Sequence, residues 1–167
     1  MSCKLNEKQQ KAYDLMLHGR NVFITGGGGV GKSWLIKHFV DNTHKNIAVT
    51  STTGVSSLII GGCTLHSYLG IGLGQSTVQK LVTNIRKKSF YRNRWTEIQI
   101  LIIDEISMLS PDLFDKINEI AQILRRSGRP FGGIQIILSG DFCQLPCVDV
   151  SSFCFEADCW NIAIKHI

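Results

Sequence analysis

What this 167-residue chain has little of narrows its class before any motif is read. No apolar run approaches the ~18–20 residues of a membrane-spanning helix. The opening Met1-Ser2-Cys3-Lys4-Leu5-Asn6-Glu7 lacks the apolar stretch of a secretory signal. No repeat, low-complexity segment or linker divides the sequence, so a single domain over residues 1–167 is expected. None of the six cysteines stands in a C-x-x-C pair. Cys143, Cys147, Cys154 and Cys159 crowd the C-terminal part at spacings unlike a zinc knuckle. Small buried thiols in a reducing intracellular compartment are the expectation, with zinc as the alternative. Acids are absent between residues 80 and 94, where Lys80, Arg86, Lys87, Lys88, Arg92 and Arg94 lie. That run and the net charge of +5 are compatible with a nucleic-acid partner, and equally with a solvated helix face. A hydrophobic fraction of 44% against 19% charged residues suits a globular core.

The most specific feature present is Gly26-Gly27-Gly28-Gly29-Val30-Gly31-Lys32-Ser33, which fits the phosphate-loop pattern G-x-x-x-x-G-K-[ST]. Asn21-Val22-Phe23-Ile24-Thr25 before it reads as a short buried strand. The segment from Trp34 to Val40 after it reads as a helix with Leu35, Ile36, Phe39 and Val40 on one face. Strand, glycine loop and helix in that order make a nest of backbone N–H groups at a positive helix end, which holds a triphosphate. Lys32 is expected to reach the β- and γ-phosphates and Ser33 to bind Mg²⁺. The nucleotide contacts extend through Trp34 in the first helical turn. An accidental glycine turn is the plainer alternative, and the strand–loop–helix context argues against it.

The rest of the chain alternates strands and helices. A helix is expected over residues 6–18, a strand over 46–50, short helices over 53–60 and 64–69, and a helix over 76–88. Ile98-Gln99-Ile100-Leu101-Ile102-Ile103 is the strongest buried strand and ends in Asp104-Glu105. Ser110-Pro111-Asp112 starts a helix whose apolar stripe runs to Arg126. Ile134 to Leu138 is a further strand, ending at Ser139-Gly140-Asp141. This alternation implies an α/β domain with a mainly parallel sheet covered on both faces. Ligands of such sheets bind beyond the carboxyl ends of the strands, where the polar clusters lie.

Asp104-Glu105 is the expected second half of the site. Asp104 would hold Mg²⁺ through its water shell, and Glu105 would orient and polarise the attacking water. Gln144, beyond the next strand end, is a candidate sensor of the γ-phosphate or the lytic water. Each of these residues alone is as well read as a strand cap or a plain turn. Together they supply most of the positioning and charge neutralisation that phosphoryl transfer needs.

These residues carry a family resemblance over nearly the whole chain. Leu5-Asn6-Glu7-Lys8-Gln9 resembles the adenine-sensing Q motif of the petite integration frequency (PIF) DNA helicases, RecD-like members of superfamily one. Asn21 through Ser33 resembles their motif I. Thr50-Ser51-Thr52-Thr53-Gly54-Val55-Ser56-Ser57 and Gly61-Gly62-Cys63-Thr64-Leu65-His66-Ser67-Tyr68 resemble motifs Ia and Ib. Leu101 to Met108 is similar to motif II, and Gly140-Asp141-Phe142-Cys143-Gln144-Leu145-Pro146 to motif III. The resemblance implies a first motor domain of RecA-like fold that binds ATP and Mg²⁺, with Gln9 touching adenine. It also implies a 5′-to-3′ motor on single-stranded DNA, with Thr52, Thr53, Thr64 and His66 contacting the DNA backbone. Tyr68 and Phe142 are candidates for stacking a base or for core packing. Telomere, replication-fork and viral-genome roles all fit, with the nucleus, a mitochondrion or a viral replication site as settings.

The chain departs from the family in Gly28-Gly29-Val30 for a usual Ala-Gly-Thr, in Ser56-Ser57 for two alanines, and in Cys147 for a second proline. Motifs IV to VI are absent from the sequence given, with the second motor domain and the arginine finger that the resemblance implies. The chain is therefore expected to be monomeric, to bind Mg-ATP, to hydrolyse it weakly and not to unwind duplexes alone. Two other readings stand beside this one. A small-molecule kinase would need an arginine-rich lid, which the sequence lacks. A loader or scaffold would use ATP only to switch shape.

Overall fold

The computed structural model describes residues 4–142 and 152–164. It holds a five-stranded sheet in the order β1-β5-β4-β2-β3, every pair parallel. The strands are β1 (Val22–Thr25), β2 (Ile47–Ser51), β3 (Cys63–Thr64), β4 (Ile100–Asp104) and β5 (Gln135–Gly140). α1 (Glu7–Leu17) precedes them, α2 (Lys32–Asp41), α3 (Gly54–Ile59), α4 (Leu65–Leu69), α5 (Val78–Lys87), α6 (Ser89–Glu97) and α7 (Pro111–Arg125) run between them, and α8 (Trp160–Ala163) follows.

The central strands are apolar because both sheet faces are covered. Side chains alternate along a strand, so β4 sends Ile100 and Ile102 to one face and Leu101 and Ile103 to the other. The first face packs against α1 and α2 through Met16, Leu35, Ile36 and Phe39. The second packs against α4 to α7, with Leu81, Ile85, Trp95, Phe114 and Ile117 at its centre. Helix starts follow the expected chemistry: Thr53, Thr64, Thr77 and Ser110 each accept a backbone N–H as N-cap, and Pro111 opens α7.

Three elements were not expected from the sequence: α6, β3 and α8. The acid-free basic segment is split: Lys80, Arg86 and Lys87 lie in α5, while Arg92 and Arg94 lie in a helix of their own, α6, which buries only Trp95 and hydrogen-bonds its indole to the Leu69 carbonyl at 2.9 Å. The Gly61-Gly62 stretch leads into the edge strand β3. A Cβ on Gly62 would lie 2.1 Å from the Val49 carbonyl oxygen, so glycine is needed for that close approach.

The strand order positions the site. β1 and β4 are separated by β5, and all three end on the same sheet edge. The loops after β1 and β4 and the turn after β5 therefore share one crevice.

Candidate functional site

The loop from Gly26 to Gly31 joins β1 to α2. Gly31 is the N-cap of α2 at φ 85°, ψ 21°, a left-handed conformation that glycine adopts without a Cβ penalty. The first-turn amides of Lys32, Ser33 and Trp34 have no acceptor within the helix and face the loop end. The Lys32 ammonium spans the loop, donating to the carbonyls of Gly26 and Gly27, the latter at 2.9 Å. Ser33 is exposed at the loop. The Trp34 ring instead lies on the outer face of α2, stacked on His38 with ring centroids 5.2 Å apart. Its position leaves the backbone N–H as the part of Trp34 nearest the loop.

Gln9 connects α1 to this loop. Asn6 and Gln9 form a reciprocal capping box, at 3.0 and 2.9 Å, and the Gln9 side-chain amide also donates to the Val30 carbonyl at 3.4 Å. A cleft of about 620 Å³ lies between α1, β1 and the loop, with Gln9, Ala12, Ile24, Val30, Lys32 and Leu35 in its wall. An apolar cleft with a few polar groups at its rim suits a planar base.

Asp104 is the last residue of β4 and is buried. Glu105 follows in a left-handed conformation, φ 56° and ψ 44°, with its side chain half-buried. Burial pushes the Glu105 carboxyl above its ordinary range. The negative charges of Asp104 and Asp141 push it the same way, and Lys32 opposes them. Lys32, Asp104 and Asp141 are thus close enough to act on the Glu105 carboxyl, although the four residues come from three strand ends. The sequence reading placed Asp141 in a polar cluster at a strand end without giving it a task of its own. Its signal was a carboxylate directly after β5, and it becomes informative only once β5 is known to lie between β1 and β4. A Cβ on Gly140 would stand 2.7 Å from the Ile106 side chain and 3.1 Å from its backbone nitrogen, so β5 ends flush against the turn that carries Glu105.

An electronegative group answered by one lysine and flanked by an exposed hydroxyl suits a divalent cation that keeps most of its water. Among the described residues no group of three His, Cys, Asp or Glu side chains is arranged to cage a metal. A magnesium ion that keeps most of its water would need no such cage, and Ser33 and Asp104 are the residues that would hold it. Cys154 and Cys159 are buried. Cys143 and Cys147, named in the zinc alternative, lie outside the described residues, as does Gln144.

The four backbone-contact candidates lie at the ends of β2 and β3. Thr53 accepts the Ser56 N–H at 3.2 Å and Thr64 accepts the Ser67 N–H at 3.3 Å. Thr52 differs, because its hydroxyl donates to the Glu105 carbonyl at 2.7 Å. His66, in α4, is half-buried, and desolvation pushes its pKa below the ordinary histidine value. The two candidate stacking rings pack on the core instead. Tyr68 lies under the Arg94 guanidinium, 4.5 Å from its ring centroid. Phe142 sits among Phe23, Phe153 and Phe155 with centroids 5.4, 5.4 and 4.9 Å away.

The profile of PIF1-like helicases matches residues 4–160. The chain belongs to the PIF1-like helicase family. It is 55% identical over 152 residues to protein 030L of Invertebrate iridescent virus 6, covering 87% of this chain and 29% of that protein. It is 46% identical over 160 residues to the ATP-dependent DNA helicase PIF1 of Emericella nidulans, covering 89% of this chain and 22% of that one. The fold matches the Candida albicans Pif1 helicase at a TM-score of 0.92 and 44% identity, over 97% of this chain and 38% of that chain. It matches a Bacteroides Pif1 helicase complexed with ADP-AlF3 and single-stranded DNA at a TM-score of 0.83 and 30% identity, over 97% of this chain and 41% of that chain. The chain thus spans less than a third of the length of the curated relatives it matches.

In this PIF1-like domain the sheet and helices are those of the RecA-like domain of the Pif1 structures. Among the described residues no helix is long and apolar enough to cross a membrane.

Proposed function

We propose that this PIF1-like domain is the ATP-binding motor domain of an ATP-dependent DNA helicase, moving 5′ to 3′ along single-stranded DNA. The observation that carries this reading is the convergence of Lys32, Asp104, Glu105 and Asp141 on one crevice beside the glycine loop. The Bacteroides relative bound to ADP-AlF3 and single-stranded DNA supports both ligands.

In this reading Gln9 and the cleft beside it receive adenine, and the loop from Gly26 to Ser33 cradles the phosphates. Lys32 leaves the Gly26 and Gly27 carbonyls for the β- and γ-phosphates. Ser33 and Asp104 would hold Mg²⁺, and the ion would supply charge neutralisation at the phosphates. Glu105 orients and polarises the attacking water, and Gln144 senses the γ-phosphate. Thr53, Thr64 and His66 hold the DNA backbone through hydroxyl and imidazole N–H donors, which fix position without reading sequence.

The length of the relatives supports a second motor domain as partner. That domain would complete the nucleotide cleft and supply an arginine worth on the order of 10³–10⁵ in rate. This domain alone is proposed to be monomeric, to bind Mg-ATP tightly and to turn it over slowly. The test is the steady-state ATPase rate with and without single-stranded DNA, for the wild type and Glu105→Gln. DNA stimulation that disappears in the variant supports the motor. Tight ATP binding with no turnover under any condition points instead to a shape switch, and duplex unwinding by this domain at a full motor's rate rules out the need for a second domain.

A further inference from the structure

Three consecutive hydroxyls, Thr50 and Ser51 at the end of β2 and Thr52 just after it, reach across to the end of β4. Thr50 donates to the Ile102 carbonyl at 2.6 Å, Ser51 to Asp104 at 3.4 Å and Thr52 to Glu105 at 2.7 Å. The Thr52 amide adds a bond to the Asp104 carbonyl at 3.2 Å. A carbonyl oxygen can only accept, so the single hydroxyl proton of Thr52 points at Glu105. Thr53 and Thr64 are arranged the other way. Each accepts a backbone N–H as an N-cap, which leaves its hydroxyl proton free for a phosphate oxygen. Neighbouring threonines at the end of one strand therefore face opposite tasks: Thr53 toward the surface, Thr52 toward the residue that follows Asp104.

Glu105 is where such a hold matters. A non-glycine residue in the left-handed region costs on the order of 1–2 kcal/mol and persists only where its surroundings impose it. Its carbonyl is gripped from two sides, by the Thr52 hydroxyl and by the Met108 amide at 3.1 Å, the latter closing the short turn from Ile106 to Met108. The backbone angle at Glu105 decides where its carboxylate is aimed.

We propose that Thr52 is a positioning residue for Glu105, not a phosphate contact, and that it couples the DNA side of the domain to hydrolysis. A strand held at Thr53 stiffens the end of β2. Through the adjacent Thr52 that end fixes the Glu105 backbone, so DNA raises turnover without tightening nucleotide binding. The inference rests on the proposed role of Glu105 in hydrolysis.

Thr52→Val removes the hydroxyl at constant shape and Thr52→Ser keeps it. In the DNA-stimulated ATPase assay, Thr52→Val should lower kcat roughly five- to tenfold, the loss of about one hydrogen bond. KM for ATP and the dissociation constant for an oligothymidylate should stay within about twofold of wild type. Thr52→Ser should restore most of the rate. Hydrogen exchange should quicken at the Met108 and Leu109 amides in Thr52→Val and not in Thr52→Ser. Weaker oligothymidylate binding with kcat intact at saturating DNA would make Thr52 a phosphate contact and overturn the proposal. So would unchanged exchange and unchanged kcat in Thr52→Val while Glu105→Gln abolishes hydrolysis. If Glu105→Gln leaves hydrolysis intact, the premise falls, and the proposal with it, whatever the exchange data show.

Discussion

The side-chain amide of Gln9 donates to the backbone carbonyl of Val30 at 3.4 Å, tying the first turn of α1 to the phosphate loop. The Gln9 oxygen is meanwhile held by the Asn6 amide at 3.0 Å. A Cβ on Gly31 would come within 2.9 Å of the Gln9 nitrogen, so the glutamine lies directly on the loop's last glycine. Gln9 is therefore both a helix cap and a lid on one side of the loop. Gln9→Ala should lower stability by about 0.5–1.5 kcal/mol through loss of the capping box. It should also raise KM for ATP several-fold while leaving kcat close to wild type, because a base contact acts on binding. Isothermal titration with ATP and with GTP checks the second part: the variant should lose preference between the two purines.

Glu105 carries a cost that its removal should reveal. Its folded-state pKa is raised from 4.5 by burial first, then by Asp104 and Asp141. Between 4.5 and the raised value the folded chain binds this proton more tightly than the unfolded chain does. Above the raised value the ionised carboxylate opposes folding, and below 4.5 the penalty is gone. Glu105→Gln should accordingly raise the melting temperature at pH 7.5 by a margin that shrinks to nothing near pH 4, while abolishing turnover. The acid limb of the wild-type kcat profile should fall through a pKa above that of a free glutamate. A variant that is less stable than wild type at pH 7.5 would contradict the electrostatic origin of the shift.

The same residues show what a sequence can and cannot reveal. The run from Ile98 to Ile103 was legible as a strand because both faces of β4 are covered, and an unbroken apolar run is the signature of that environment. The glycine loop was legible because its chemistry is local. Helix α6 was not, because Ser89–Glu97 buries a single residue and therefore has no stripe. β3 is two residues long and has no period to detect. Asp141 could be placed at a strand end but not given a task, because nothing in the pattern along β5 says which strands flank it. The direction of the Thr52 hydroxyl was equally hidden, since two adjacent threonines look alike until one is seen facing a carbonyl.

Arg125 is a prediction about stability alone. Its guanidinium donates to the carbonyls of Gly132 at 2.9 Å and of Trp95, Thr96 and Ile98 at 3.0 Å each. It thereby joins the end of α7 to the end of α6 and to the approach to β4. Hydrogen bonds from a charged donor contribute about 1.5–3 kcal/mol, and the carbonyls left behind lose their partner. Arg125→Ala should cost about 2–4 kcal/mol, a fall in melting temperature of roughly 5–15 °C for a domain of this size. Arg125→Lys keeps the charge without the planar fork and should recover less than half of that. Thermal unfolding followed by circular dichroism reads both, and ATP affinity per folded molecule should not change.

His66 separates a charged from a neutral contact with DNA. Burial lowers its pKa, so the imidazole is neutral at pH 7.5 and can offer a phosphate only a neutral N–H. A neutral donor releases no counterion. His66→Ala should thus weaken oligothymidylate binding at pH 7.5 by a few-fold at every salt concentration, without changing the slope of log K against log salt. A charged imidazolium would instead steepen that slope by about 0.7 for each phosphate it neutralised on a single strand. The wild type and His66→Ala should therefore share one slope at pH 7.5 and differ in affinity alone. Fluorescence anisotropy over a salt series at pH 7.5 makes the comparison. Unchanged affinity of His66→Ala across the series would remove His66 from the DNA contact set and leave Thr53 and Thr64 as its candidates.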